Sequence, residues 1–272
     1  MRFMLIASIV ALFVGALAGC TKKVETASQT VYSPEEFLSR EVSVGGNKSI
    51  RYRVFSPRNR DPELKVPVML YLHGADDRGE DNERQLNDLA GSIGANGKNI
   101  QFVIVFPQCP KDRFWDKEII RDAMTALEQT AKDFNGDDQR FYLAGFSLGG
   151  YGVWTTAAMH PGKFAAIIPM SGRVLPRAAE RKYVDLEMLK LADAGNPYAA
   201  FAEKIGNAAI WIFHGANDNI VPVENSRRMF SAFTKNGNAN VRYSELPNVG
   251  HSSIASAFSD PELYTWLANQ RL

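Results

Sequence analysis

The chain has 272 residues, is 45% hydrophobic and 22% charged, and carries 31 basic against 30 acidic side chains, an ordinary globular composition with room for one sizeable core. So even a charge balance gives no sign of nucleic acid or an anionic surface as a partner. Of its two cysteines, Cys20 falls at the end of a leader, which leaves Cys109 without an intramolecular disulfide partner.

Arg2 is followed by an apolar run, Phe3 to Val14, and then by small residues ending Leu17-Ala18-Gly19-Cys20. One positive charge, an apolar stretch and a small-residue cleavage site describe a secretory signal peptide over residues 1–19. A membrane-spanning helix is the competing reading, but the run is short for a span. Leu17-Ala18-Gly19-Cys20 resembles the lipobox of bacterial lipoproteins. That resemblance implies cleavage before Cys20 and lipidation of its thiol with acyl chains such as palmitate, which would hold the protein on a membrane of the bacterial cell envelope. Thr21 in the next position favours the outer membrane by the same resemblance. Residues 20–33 then read as a lipidated, polar tether, and residues 34–272 as one folded domain.

Within that domain, Ile50 to Phe55 alternates apolar and polar residues, as a strand with one wet face does. Val66 to Leu72 and Gln101 to Pro107 are near-continuous apolar runs of the kind buried in a parallel sheet. Between them a short helical piece is expected around Asn82 to Leu89. Helical spacing runs from Glu118 to Phe134. A strand over Arg140 to Ala144 leads into Gly145-Phe146-Ser147-Leu148-Gly149-Gly150, and a helix follows to Met159. Phe164 to Met170 is a further strand. Residues 174–206 leave the alternation, with helix-permissive pieces over Arg177 to Ala192 and Tyr198 to Ile205, and are a candidate lid. Ala208 to Phe213 resumes the sheet, Val223 to Thr234 is amphipathic, Val241 to Leu246 is the last strand, and Pro261 to Leu267 closes with a helix. Strands alternating with helices predict an α/β fold: a mostly parallel, doubly wound sheet in a single domain.

Gly145-x-Ser147-x-Gly149 at a strand-to-helix turn is the pattern of a nucleophile elbow, in which glycines let strand and helix approach while the serine projects from the sheet edge. Ser147 needs a base, and four histidines are available. His160 precedes Pro161-Gly162 at a helix end, while His73 and His214 end apolar strands before glycine, where a structural or loop-shaping role fits better. His251, in the loop after the last strand, is free to reach Ser147. The orienting acid is expected at the end of the preceding strand, which points to Asp218; Asp185 and Asp193 lie in the irregular segment, and an aspartate capping the next helix is the competing role for Asp218. The order Ser147, Asp218, His251 is that of α/β-hydrolases. Two backbone donors should face the developing oxyanion: Leu148 N–H, and one from the loop after the early strand, with Ala75 first and Asp76 next.

Leu72-His73-Gly74-Ala75, Phe106-Pro107-Gln108-Cys109-Pro110 with Trp115, Ala144 to Trp154, Phe213 to Asp218, Val249-Gly250-His251 and Ser259 to Leu263 occur in this order over nearly the whole domain. Together they resemble bacterial α/β-hydrolases of the phospholipase/carboxylesterase or "predicted peptidase" group, related to feruloyl-type esterases and distantly to prolyl oligopeptidases. The resemblance implies a Ser147-Asp218-His251 triad, no cofactor or metal, and a small-molecule or saccharide ester as substrate. Asp76-Asp77 stands where that group often has glycine and an acid. Trp115, Trp154 and Asp76 are candidates to line the substrate pocket, a core position being the competing reading for Trp154. The expected activity is serine carboxylic-ester hydrolysis. A serine peptidase with the same triad and a non-catalytic glycan- or protein-binding lipoprotein are the alternatives. Oligomeric state is left open.

Overall fold

The structure is a computed structural model and describes residues 37–58, 60–96 and 99–272. The expected leader, Cys20 and the tether lie outside the described residues.

The first two strands are a hairpin, β1 (Phe37–Gly45) and β2 (Lys48–Phe55), joined at Gly45-Gly46. β1 was not expected from the sequence, because most of its residues are exposed and only Val42 and Val44 alternate with polar neighbours. Its one strong anchor is Phe37, whose ring packs 5.7 Å from both Phe55 and Phe106. Then follow β3 (Val66–Leu72), α1 (Asn87–Asn96), β4 (Val103–Pro107), α2 (Lys117–Asp133), β5 (Gly136–Phe146) and α3 (Leu148–Met159). The second half holds β6 (Ala166–Met170), α4 (Leu186–Ala192), α5 (Pro197–Ile205), β7 (Ala209–Gly215), α6 (Glu224–Lys235), β8 (Val241–Leu246), α7 (Ile254–Ser259) and α8 (Pro261–Ala268). The helix expected over Asn82 to Leu89 instead starts at Asn87, after a 3₁₀ turn at Arg84–Leu86. The stretch from Arg177 to Ala192 is not one helix: it holds a 3₁₀ segment, Ala178–Tyr183, and then α4.

Across the sheet the strands run β1-β2-β4-β3-β5-β6-β7-β8. β2 is antiparallel to both β1 and β4, and every other neighbouring pair is parallel. This is the single-domain α/β-hydrolase fold. Pro67 cannot donate to a ladder, and it sits where the pairing of β3 with β5 shifts register between Val66 and Val68.

Side chains on a strand alternate faces, and two separate cores result. From β3, Val68, Leu70 and Leu72 enter one core with α2, α3, α5 and α6, while Met69 and Tyr71 enter the other with α1, α7 and α8. β5 divides the same way: Phe141 and Leu143 on one face, Tyr142, Ala144 and Phe146 on the other. Sandwiched so, the central strands are rigid, and their carboxyl ends are the one edge where loops can assemble a site.

Candidate active site

Ser147 lies between β5 and α3 with φ 55° and ψ −111°, a left-handed conformation that a non-glycine residue adopts only under constraint. The constraint is visible on both sides. A Cβ on Gly149 would stand 1.7 Å from Leu72 O, and one on Gly145 would stand 2.7 Å from Gly149 O. The end of β3, the end of β5 and the start of α3 therefore meet backbone to backbone. Ser147 N–H donates to Met170 O at 2.9 Å, which ties the turn to β6. The serine hydroxyl is left at the N-terminus of α3, where the helix dipole favours negative charge.

The ends of β7 and β8 are joined as closely. Ala216 N–H donates to Leu246 O at 3.0 Å and Asn217 N–H to Val249 O at 2.9 Å, while a Cβ on Gly215 would meet Gly250 O at 1.9 Å. That stitching carries His251 over Asp218. His251 Nδ1–H donates to Asp218 Oδ2 at 2.7 Å, and Ser147 Oγ–H donates to His251 Nε2 at 2.7 Å. The Phe146 ring, 4.9 Å from the imidazole, supports it from below. Three residues from three separate loops thus form one continuous hydrogen-bonded line.

Asp218 is fully buried in this line. Its Oδ1 accepts from Ile220 and Val221 N–H, each at 2.9 Å. Burial alone would raise its pKa, but the hydrogen bonds from His251 and from those two amides outweigh it, so the carboxyl sits below the ordinary range. His214, which the sequence suggested as a loop-shaping residue, also reaches it. Its Nε2 lies 3.0 Å from both Asp218 Oδ2 and Val221 O, two acceptors, so the ring proton is on Nε2 and Nδ1 accepts from Ser226 Oγ at 2.7 Å. Burial lowers the pKa of His214 and keeps the ring neutral.

Leu148 is the first residue of α3, so its N–H has no partner in the helix ladder. Ala75 opens a 3₁₀ turn, Ala75–Asp77, directly after β3. The contact of Gly149 with Leu72 and His73 backbone sets these two segments side by side. His73 shapes the loop: its Nδ1–H donates to Gly74 O at 2.7 Å and its Nε2 accepts from Cys109 N–H at 2.9 Å. Burial brings its pKa down to about 4. Gly74 N–H donates to Asp88 Oδ2 at 2.7 Å. Burial first, and then the neighbouring Asp77 charge, push Asp88 up to about 7.

A cavity of about 260 Å³ opens onto Ser147 and Leu148, walled by Phe114, Tyr183, Ile220 and Val221 among others. The turn that fixes Asp218 through its amides thus also forms a wall. Residues 174–206 contribute the Tyr183 side. The tryptophans expected in the pocket are not there. Trp115 is wholly buried under the loop after β3: Nε1–H donates to His73 O at 3.1 Å, and the ring fills the space a Cβ on Gly152 would need. Trp154 is buried between α3 and α6, its ring stacked on Phe233 at 5.9 Å. Asp76 is exposed and does not line the cavity. Among the described residues, no group of three or more His, Cys, Asp or Glu side chains is placed to hold a metal ion.

The pattern of the prolyl oligopeptidase family matches residues 111–269. The bifunctional acetylxylan esterase/xylanase XynS20E of Neocallimastix patriciarum is 34% identical over 134 residues, which are 44% of this chain and 17% of that protein. Among solved structures, a thermostable esterase superposes with a TM-score of 0.70 at 26% identity, over 88% of this chain and 64% of the other. A CE1 ferulic acid esterase of the anaerobic fungus Anaeromyces mucronatus gives a TM-score of 0.60 at 15% identity, over 89% and 95%. The chain therefore spans about a sixth of the curated relative's length, and just under two thirds of the thermostable esterase.

Proposed function

The chain belongs to the prolyl oligopeptidase family, and from that premise we propose that it is a serine hydrolase cleaving carboxylic esters through an acyl-enzyme. The observation that carries this reading is the line Ser147 Oγ, His251 Nε2, His251 Nδ1, Asp218 Oδ2, with 2.7 Å at each hydrogen bond.

In this reading His251 Nε2 takes the Ser147 proton as Oγ attacks the ester carbonyl carbon. The oxyanion that forms is received by Leu148 N–H and Ala75 N–H, aided by the dipole of α3. Asp218, held below the carboxylate range, keeps the imidazole oriented and stabilises it once protonated. His251 then gives the proton to the departing alcohol, and the acyl-enzyme remains on Ser147. A water deprotonated by His251 then attacks the acyl carbon, the bond to Oγ breaks as His251 returns the proton to Ser147, and the carboxylic acid leaves. The likeness to a bifunctional acetylxylan esterase/xylanase and the shared fold of a ferulic acid esterase favour acylated saccharides or short-chain and aromatic esters as substrates.

Purified protein should hydrolyse 4-nitrophenyl acetate and react with a fluorophosphonate probe, and Ser147→Ala should lose both while its circular dichroism is unchanged. Residual turnover equal to wild type in that variant would sink the proposal. A protein that only binds a glycan or a partner would not be labelled at all. The family membership also favours a peptidase reading with the same three residues; faster cleavage of peptide 4-nitroanilides than of any ester in a matched series would establish it.

The lipid anchor at Cys20, and a bacterial envelope location with residues 34–272 as the hydrolase domain, stand as proposals from the lipobox resemblance. Incorporation of radiolabelled palmitate that disappears in Cys20→Ser is the result expected.

A further inference from the structure

The cavity beside Ser147 is lined by four arginines, Arg78, Arg113, Arg173 and Arg177, against two acids, Asp112 and Glu180. Three loops far apart in the chain supply them. Two of the arginines have structural work that uses their charge. Arg113 grips Asp116 with Nε at 2.8 Å and Nη2 at 2.9 Å and also reaches Glu118 at 3.1 Å. Arg173 pairs with Glu180 Oε1 at 2.7 Å and lies over the Tyr151 ring at 4.3 Å. Glu180 is then used up, since its Oε2 accepts from Arg177 N–H at 2.8 Å. Asp112 is exposed at the rim.

Arg78 and Arg177 are different: among the described ion pairs, neither has a carboxylate partner. Arg78 is nonetheless held in place. Its Nε donates to Ala75 O at 2.9 Å and its Nη1 to Arg113 O at 3.0 Å. Two of the five N–H donors of a guanidinium are thus spent on carbonyls, which leaves a fixed fork with its charge uncompensated, on the loop that carries Ala75. A like-charged cluster in a low-dielectric cleft raises the local potential and draws anions toward the serine. A guanidinium fork matches the two oxygens of a carboxylate. The cavity volume, about 260 Å³, lies below the range of about 300–1,000 Å³ common for drug-sized ligands, so the group it takes is compact. Phe114 and Tyr183, whose ring centroids are 6.0 Å apart, add an aromatic wall to the same cavity.

We infer that the ester cleaved at Ser147 carries a carboxylate close to the scissile bond, held by Arg78 and Arg177, as an O-acylated uronic acid would. This rests on the esterase reading above and specifies its substrate class. The carboxylate has two possible places, the acyl group or the alcohol, and two substrate pairs separate them: mono-4-nitrophenyl adipate against 4-nitrophenyl hexanoate, and O-acetylated methyl galacturonoside against O-acetylated methyl galactoside. In one pair the anionic ester should have at least about a tenfold higher kcat/KM, the size expected for a hydrogen-bonded charge pair. The ratio should shrink between about 0.05 and 0.5 M sodium chloride, over which the screening length falls about threefold. It should also fall about tenfold in Arg177→Gln and Arg78→Gln, as losing one charge-assisted contact predicts. Arg177 is exposed, so its substitution keeps the test alive if Arg78→Gln fails to fold. No preference in either pair, or a preference that survives both substitutions, overturns the inference. If neither ester of any pair is hydrolysed, the esterase reading itself has failed. Calorimetric titration of Ser147→Ala with galacturonate and galactose then decides the anion site separately: tighter galacturonate binding supports it, and equal or absent binding overturns it.

Discussion

His214 Nε2 lies 3.0 Å from Asp218 Oδ2, the same oxygen that accepts from His251 Nδ1 at 2.7 Å. One carboxylate oxygen therefore serves two imidazoles, one neutral and fully buried, the other partly exposed. A hydrogen bond to a charged group contributes about 1.5–3 kcal/mol, so His214→Phe should lower kcat by roughly 10- to 100-fold with little change in KM. His214→Gln, which can still donate to Asp218, should recover part of that loss. Stopped-assay kinetics of both variants check this; equal losses in both would mean that His214 only fills space.

The backbone meeting at the serine turn predicts an asymmetry between two glycines. Gly149→Ala puts a methyl 1.7 Å from Leu72 O and 2.5 Å from its carbonyl carbon, and neither can retreat without moving β3. Overpacking of even ordinary core sites costs about 1–3 kcal/mol, and this site should exceed that and yield unfolded protein. Gly91→Ala, in α1, meets nothing within 4 Å. It should raise stability by about 0.5–1 kcal/mol through helix propensity. Thermal melts of the pair measure the contrast.

Asp88 supplies a pH dependence. Folded, it holds its proton up to about 7 because it is buried and faces Asp77, with Asp76 adding to the repulsion. Unfolded, it titrates as an ordinary carboxylate near about 4, so between about pH 4 and 7 the unfolded chain binds fewer protons than the native one. Stability from this group is therefore complete at low pH and is lost as pH rises through that window. Asp88→Asn keeps an acceptor for Gly74 N–H but cannot ionise. Its Tm should fall less than that of wild type between about pH 4 and 7, the window in which the unfolded chain has given up this proton and the native one still holds it. Parallel slopes for the two proteins would exclude the effect.

Cys109 is wholly buried, and burial pushes its thiol up to about 12. A thiol so protonated is a poor nucleophile. Native protein should leave Cys109 unmodified by iodoacetamide over hours at neutral pH, and urea-unfolded protein should be alkylated at once. Mass spectrometry of the Cys109 peptide reads both states.

The sequence alone determined the strand-helix alternation, the serine turn, and which histidine and aspartate belong with it. Those features are local: a period of two or about 3.6, glycines two residues either side of Ser147, and loops placed after strands whose apolar runs are unmistakable. Val241 to Leu246 was legible residue for residue. β1 was not, because an edge strand with both faces largely wet carries only a short period, here Val42 and Val44. The six residues of α7 are likewise too few to show one. Tertiary structure decided everything that depends on which way a side chain turns. Trp115 and Trp154 stand beside the motifs in sequence, yet the close approach of Gly152 draws one ring into the core and Phe233 holds the other there. His214 ends an apolar strand like many structural histidines; only the fold of the turn from Gly215 to Val221 brings Asp218 back onto its Nε2. The four arginines are separated by up to about a hundred residues, and no periodicity links them. They share a cavity because the parallel strands deliver their loops to one edge of the sheet, which is where the physics of this fold gathers a site from distant parts of the chain.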